Sequence, residues 1–189
     1  NGTTPLFSFI IATLWLKLNT NLVQLMGILI GIIGLVIFVG YESLEFSLFA
    51  LMLCLGASFL YAFSSNFIFK TQSIDATYLA AMTLLFATFL VFPFTFLETG
   101  LHLNHSNEVL LSVFLLGFAC TGLAYMGYVV LIKRAGPVRA STVVLIVPIS
   151  GMLWANLFLN EVITLTMLLG CLLIITGVGL INFFQKESN

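Results

Sequence analysis

Ser58, Tyr61 and Ser65, with Cys54 one turn earlier, fall at helical spacing on one face of an apolar stretch. Thr121, Tyr125 and Tyr128 repeat that spacing in a second stretch. Thr142 with Asn156, and Thr77 with Thr88 and Thr95, share faces of two more. Hydroxyls, an amide and phenol rings hold a small solute by hydrogen bonding and stacking; they do not by themselves break bonds. No nucleophile–base–acid set, phosphate loop or metal-ligand spacing accompanies them, so the chain is not read as an enzyme and no cofactor is expected. Inside an apolar bundle such groups either line a cavity or join helices. On the cavity reading, the candidate substrate contacts are Ser58, Tyr61, Ser65, Thr121, Tyr125 and Asn156. Tyr61 and Tyr125 each offer a ring and a hydroxyl, which suits a partly amphipathic solute. Asn66 lies near the end of the first of these stretches.

The ionisable residues sit elsewhere. Glu161 falls at the end of an apolar stretch, where a charge is cheap. His102 and His105 share a polar loop with Glu98 and Glu108, read as a solvated loop and not as a metal site. Cys54, Cys120 and Cys171 lie inside apolar stretches and read as small packing residues. Asn1-Gly2-Thr3 and Asn104-His105-Ser106 match the glycosylation sequon, which matters only in a eukaryotic secretory pathway. Pro148, which cannot donate to the helix ladder, marks a kink or hinge.

The elements that must position these groups follow from composition. Of 189 residues 61% are hydrophobic and 7% charged, with a net charge of −1 and a mean hydropathy of +1.19. A soluble domain carries about 25% charged residues, so a water-facing globule is excluded. So are a disordered chain, a coiled coil and a nucleic-acid binder, which needs a basic excess. The charges leave seven uncharged stretches: 1–16, 18–41, 46–69, 76–97, 109–132, 140–160 and 162–185. A bilayer core of ~30 Å takes about 20 helical residues, so all but the first are long enough to span. Transmembrane strands would alternate in runs of about 10, and these stretches do not. The expected fold is an all-α polytopic bundle in a lipid bilayer, with the short first segment read as a truncated helix.

Lys17, Lys70, Lys133, Arg134, Arg139 and Lys186, which are all the basic residues, fall in alternate loops. The intervening loops hold Glu42, Glu45, Glu98, Glu108 and Glu161. Basic residues accumulate on the cytoplasmic side, which places the C-terminus inside a multi-pass protein of a cell membrane, expected to be a bacterial inner membrane.

The chain also resembles itself. At an offset of 143 residues Pro5 falls on Pro148, Ala12 on Ala155, Gly27 on Gly170 and Gly34 on Gly177, with several leucines in the same register. The matched blocks are five segments apart, an odd number, so the two copies cross the membrane in opposite directions. Such inverted-topology repeats organise many secondary transporters. The reading is of a first repeat represented by its last two helices, residues 1–41. A five-helix second repeat, 46–185, and a cytoplasmic tail, 186–189, follow. Seven helices of an expected ten are then present. The glycines permit close helix approach within a pair, or alternatively against another subunit in a homodimer.

Gly136-Pro137-Val138-Arg139-Ala140-Ser141, Val147-Pro148-Ile149, Leu157-Phe158-Leu159-Asn160-Glu161-Val162-Ile163-Thr164 and the run from Gly170 to Val178 together resemble the end of an EamA-type repeat of the drug/metabolite transporter superfamily. The likeness is close over 136–181, looser over 5–40, and over 46–132 rests on helix count. It implies a ten-helix carrier that exports or exchanges small metabolites or amino acids. Leu18 stands where a partner to Glu161 would align, so a pair of glutamates is not implied. A non-transporting scaffold or receptor is the alternative function, with a membrane-embedded enzyme behind it.

Overall fold

The computed structural model describes residues 1–40, 48–96 and 106–183. Among them the regular structure is helical: α1 (Thr4–Leu14), α2 (Leu22–Val39), α3 (Leu48–Lys70), α4 (Ala76–Val91), α5 (Asn107–Leu115), α6 (Ala124–Ala135), α7 (Pro137–Ser141), α8 (Val143–Leu159) and α9 (Leu165–Phe183). A π-helical stretch, Leu116–Leu123, joins α5 to α6 into one rod. Six helical runs are long and apolar enough to span a membrane, and α1 is a shorter apolar one. This is the all-α polytopic bundle expected from the charge spacing. Glu42, Glu45, Glu98, His102, Asn104, His105 and Lys186 lie outside the described residues.

Helix ends follow local chemistry. Pro5 stands in the first turn of α1, where its missing N–H costs nothing. Asn21 and Gln24 form a reciprocal capping box at the start of α2. Asp75 starts α4 by accepting the N–H groups of Thr77 and Tyr78 at 2.8 and 3.2 Å. Those donors, Tyr78 first, hold its carboxyl below the usual carboxylate range. At the other end of α4, Pro93 cannot continue the ladder, and Phe92–Phe96 tightens into a 3₁₀ turn. Thr95 therefore leaves the α-helical face expected for Thr77, Thr88 and Thr95 together.

The chain divides into two compact units, residues 1–70 with 135–189, and residues 71–134. The core of the first is the antiparallel pair α2–α9. A Cβ on Gly27 would lie 2.7 Å from the Gly177 carbonyl oxygen, and one on Gly34 would lie 2.9 Å from that of Gly170. Glycine is required here because backbone meets backbone. Each contact has a mate at the offset of 143: Gly27 with Gly177 mirrors Gly170 with Gly34, and Gly27 with Ile181 mirrors Gly170 with Phe38. Gly34 with Ile174 likewise mirrors Gly177 with Gly31. Residue i touching j′ while j touches i′ is the signature of a two-fold interface. The glycines that the sequence left open to another subunit face each other within the chain.

Local conformation repeats at the same offset. Lys17 and Asn160 are the non-glycine residues with positive φ among those described, at 51° and 54°. Asn21 caps the N–H of Gln24, and Thr164 caps that of Met167. The helices then begin at Leu22 and Leu165. The offset of 143 residues thus recurs in these turns and caps and in the contacts of α2 with α9.

In the same unit α1 runs parallel to α3. Phe7 meets Phe59 edge-on at 5.8 Å, and Trp15 stacks on Phe63 at 5.2 Å with the Lys70 ammonium 4.7 Å from its ring. Arg139 donates to the Asn182 carbonyl at the end of α9, where a cation complements the helix dipole.

In the second unit Lys133, near the end of α6, donates to the carbonyls of Thr71 at 2.9 Å, Gln72 at 3.4 Å and Ile74. Gln72 returns a hydrogen bond to the Lys133 carbonyl. One ammonium thus holds the turn ahead of α4. Hydrogen bonds to a charged group contribute about 1.5–3 kcal/mol each at best, and these share one donor. Lys133→Met is expected to destabilise this unit by about 2 kcal/mol and to speed amide exchange at the start of α4. Unchanged exchange protection there would refute the clamp.

Candidate substrate-binding site

Within the first unit, α2, α3, α8 and the N-terminal residues border an open cavity of about 410 Å³ lined by Leu35, Tyr61, Val144, Val147 and Pro148 with Asn1 and Gly2. Its size suits a small solute, and its walls have the usual composition of a ligand site, apolar with a few polar groups. Pro148, inside α8, has no N–H for the Val144 carbonyl. Both residues line the cavity. Tyr61 contributes a phenol ring, 42% uncovered by protein.

The other candidates on α3 lie differently. Ser58 and Ser65 are buried, and Ser65 donates to the Tyr61 carbonyl at 3.0 Å. Ser58 Oγ is buried without a hydrogen-bond partner among the described residues. Of the three hydroxyl residues placed on one face, Tyr61 alone lines this cavity; the two serines are covered by protein. Asn66, flagged only by position, is buried and donates to the carbonyl of Ala62 at 2.8 Å and to Ser8 Oγ at 3.2 Å. It ties α3 to α1. Thr4 and Ser8, buried one turn apart on α1, were missed in the sequence, although their spacing of four was the available signal.

Asn156 is uncovered and donates to the Glu161 carbonyl at 2.7 Å, closing the left-handed turn that ends α8. Thr142 is buried at the start of α8 and bonds the Arg139 carbonyl, so the face expected for Thr142 and Asn156 carries two helix-end bonds. In the second unit Thr121 lies within the π-helical stretch and donates to the Leu116 carbonyl five residues back, at 3.0 Å. The Tyr125 and Tyr128 rings lie 6.5 Å apart at 36°. A π segment shifts side-chain register relative to an α-helix, and such segments occur often at functional sites.

Glu161 lines a second cavity of about 290 Å³, with Phe38, Pro148, Met152, Ala155 and Met167 among its walls. Among the described residues no group of three or more His, Cys, Asp or Glu comes together.

The bundle thus has α2 and α9 in mated contact and a helix with an internal proline beside a cavity. Residues 48–183 match the EamA-like transporter family. The chain belongs to that family. Two relatives from Bacillus subtilis (strain 168), the "uncharacterized transporters" YvbV and YoaV, are 21% and 26% identical to it over 188 and 186 residues. These alignments take in 97% and 96% of the chain but 61% and 64% of the relatives, so the chain spans under two thirds of their length. No solved structure matches it. The family match covers α3 to α9, while α1 and α2 enter through the relatives and the repeat.

Proposed function

We propose that the chain is the carboxy-terminal part of a secondary carrier that moves a small metabolite or amino acid across a cell membrane by alternating access between two inverted repeats. The observation that carries this reading is the exchange of mated contacts between α2 and α9, in a chain of the EamA-like transporter family. Residues 1–41 supply the last two helices of the first repeat and 46–185 the whole second repeat. Solute counterflow in proteoliposomes holding the full-length protein tests it. A protein that folds and inserts, yet shows no saturable counterflow with any small metabolite or amino acid, would favour a scaffold or receptor.

Tyr61 is the leading substrate contact, because it lines the cavity; Ser58, Ser65, Thr121, Tyr125 and Asn156 are carried with it as candidates. Tyr61→Phe keeps the ring and removes one hydroxyl, a change of about 1.4 kcal/mol if that hydroxyl binds solute. The expected result is a roughly tenfold rise in half-saturation at unchanged abundance. Unchanged half-saturation would remove Tyr61 from the site.

The C-terminus is placed in the cytoplasm. Within the first unit Lys70 and Arg139 lie at helix ends on the side away from Glu161, in keeping with the alternation of charge along the chain. Arg134→Cys in a background without other cysteines should resist a membrane-impermeant maleimide added to intact cells and react after permeabilisation. Ready labelling from outside would invert the topology.

A further inference from the structure

The two-fold that relates α1–α2 to α8–α9 also predicts what each helix should be packed against. On the α1 side the interface is filled. Ala12, Ile28, Val138 and Ile181 form a buried cluster, with Phe9 and Leu18 packed against it. The residue that closes it is Val138 of α7, the short helix leading into α8; Pro137 beside it is also fully buried. On the α8 side the mates of Phe9, Ala12, Leu18 and Ile181 are Met152, Ala155, Glu161 and Phe38. These four line one cavity, that of about 290 Å³. The same four positions thus enclose a packed core around Val138 in one copy and a cavity in the other. At the same offset the mate of Val138 falls about six residues ahead of Asn1.

We infer that this cavity is the docking site for a second short helix of the α7 kind, carried by the segment that leads into α1 in the full-length protein. The relatives' greater length leaves room for such a segment, since the chain spans 61% and 64% of them. The chemistry of the occupant follows from the walls. Phe38, Met152 and Ala155 call for a β-branched or similarly compact apolar side chain. Glu161 stands where the other copy has Leu18, so the occupant also presents a hydrogen-bond donor or cation at the mouth of the cavity. The inference rests on the two-fold packing and not on transport, so it can fail while the carrier reading survives.

Disulfide trapping in the full-length protein, with Cys54, Cys120 and Cys171 replaced by alanine, tests it. The reference pair is Ala12→Cys with Val138→Cys. The test pair is Ala155→Cys with cysteine placed six positions ahead of Asn1, scanning one residue to either side. Both pairs are expected to form intramolecular disulfides under copper-phenanthroline. In the full-length protein, Ala155→Cys is expected to react with maleimide in detergent at least tenfold more slowly than Val162→Cys, whose position is 82% uncovered. Ala155→Leu supplies a second reading: it should lower the melting temperature of the full-length protein, and an unchanged melting temperature would overturn the inference. A reference disulfide without a test disulfide overturns the inference. So does a test cysteine that links two copies of the protein, which would make a second copy the occupant. Equal maleimide rates at positions 155 and 162 would leave the cavity to lipid or solute and overturn it as well. Failure of both pairs would remove the α1–α7 core on which the inference is built, and the inference with it.

Discussion

Gly177→Leu is expected to abolish the α2–α9 pair and with it the folded first unit. A Cβ at this position would sit 2.5 Å from the Gly27 carbonyl oxygen and 2.7 Å from the Gly31 nitrogen, so the obstruction is backbone. A flexible side chain could rotate away; a helix backbone must translate, and the mated contacts at Gly34 and Gly170 would be pulled apart with it. Overpacking of this kind costs about 3 kcal/mol, and membrane helices have no hydrophobic effect between them to compensate. Gly56→Leu is the control, because nothing lies within 4 Å of a Cβ built there. Denaturation in mixed detergent micelles should show a large loss for Gly177→Leu and almost none for Gly56→Leu. Equal losses would mean that the close approach does not hold the pair together. Gly34→Leu should match Gly177→Leu in magnitude, since the two positions are mates.

The second large effect belongs to Asn66→Asp. The Asn66 amide nitrogen donates to the Ala62 carbonyl and to both oxygens of Ser8 from a fully buried position. A carboxylate of the same shape can donate none of these bonds, and ionised it becomes a buried charge without a cation. The expected cost near neutral pH is about 3–5 kcal/mol, the scale for an uncompensated buried charge, read as lost α1–α3 packing and lower abundance. Asn66→Leu removes the hydrogen bonds without adding charge and should cost less. If Asn66→Asp were as stable as the parent at pH 8, Asn66 would not be the polar link between α1 and α3.

What the sequence made legible was set by the strength of each physical signal. The spans were plain because a single charge inside the bilayer is costly, so thirteen charged residues punctuate the chain. The repeat was plain at Gly27, Gly34, Gly170 and Gly177 because no other residue fits where backbones touch. It was invisible at Lys17 and Asn160, whose shared left-handed turn is a matter of φ and not of side-chain type. The site was read less well. Helical spacing put Ser58, Tyr61 and Ser65 on one face, but a face says nothing of what covers it, and α3 turns its serines inward while Tyr61 reaches the cavity. Asn156 was chosen because an amide in an apolar helix needs a partner. It has one five residues on, at the Glu161 carbonyl, a local bond that periodicity cannot reveal. The π-helical stretch around Thr121 was equally hidden, since the residues of Leu116–Leu123 would all be at home in an ordinary helix.

The lengths of the spans differ more than one bilayer can match. The helical run Asn107–Ala135 has 29 residues, whereas α2 has 18. At ~1.5 Å per residue these come to about 44 Å and 27 Å, against a hydrocarbon thickness of ~30 Å. A bilayer that covers α2 without thinning leaves the long rod overlength unless it leans away from the membrane normal or carries its ends into the headgroups. Glu108 near one end and Lys133 and Arg134 near the other are the residues that would reach for that interface. Mismatch costs fractions of a kcal/mol per Å, so rod and bilayer can share the adjustment, while Lys133 keeps the end of α6 tied to the turn ahead of α4.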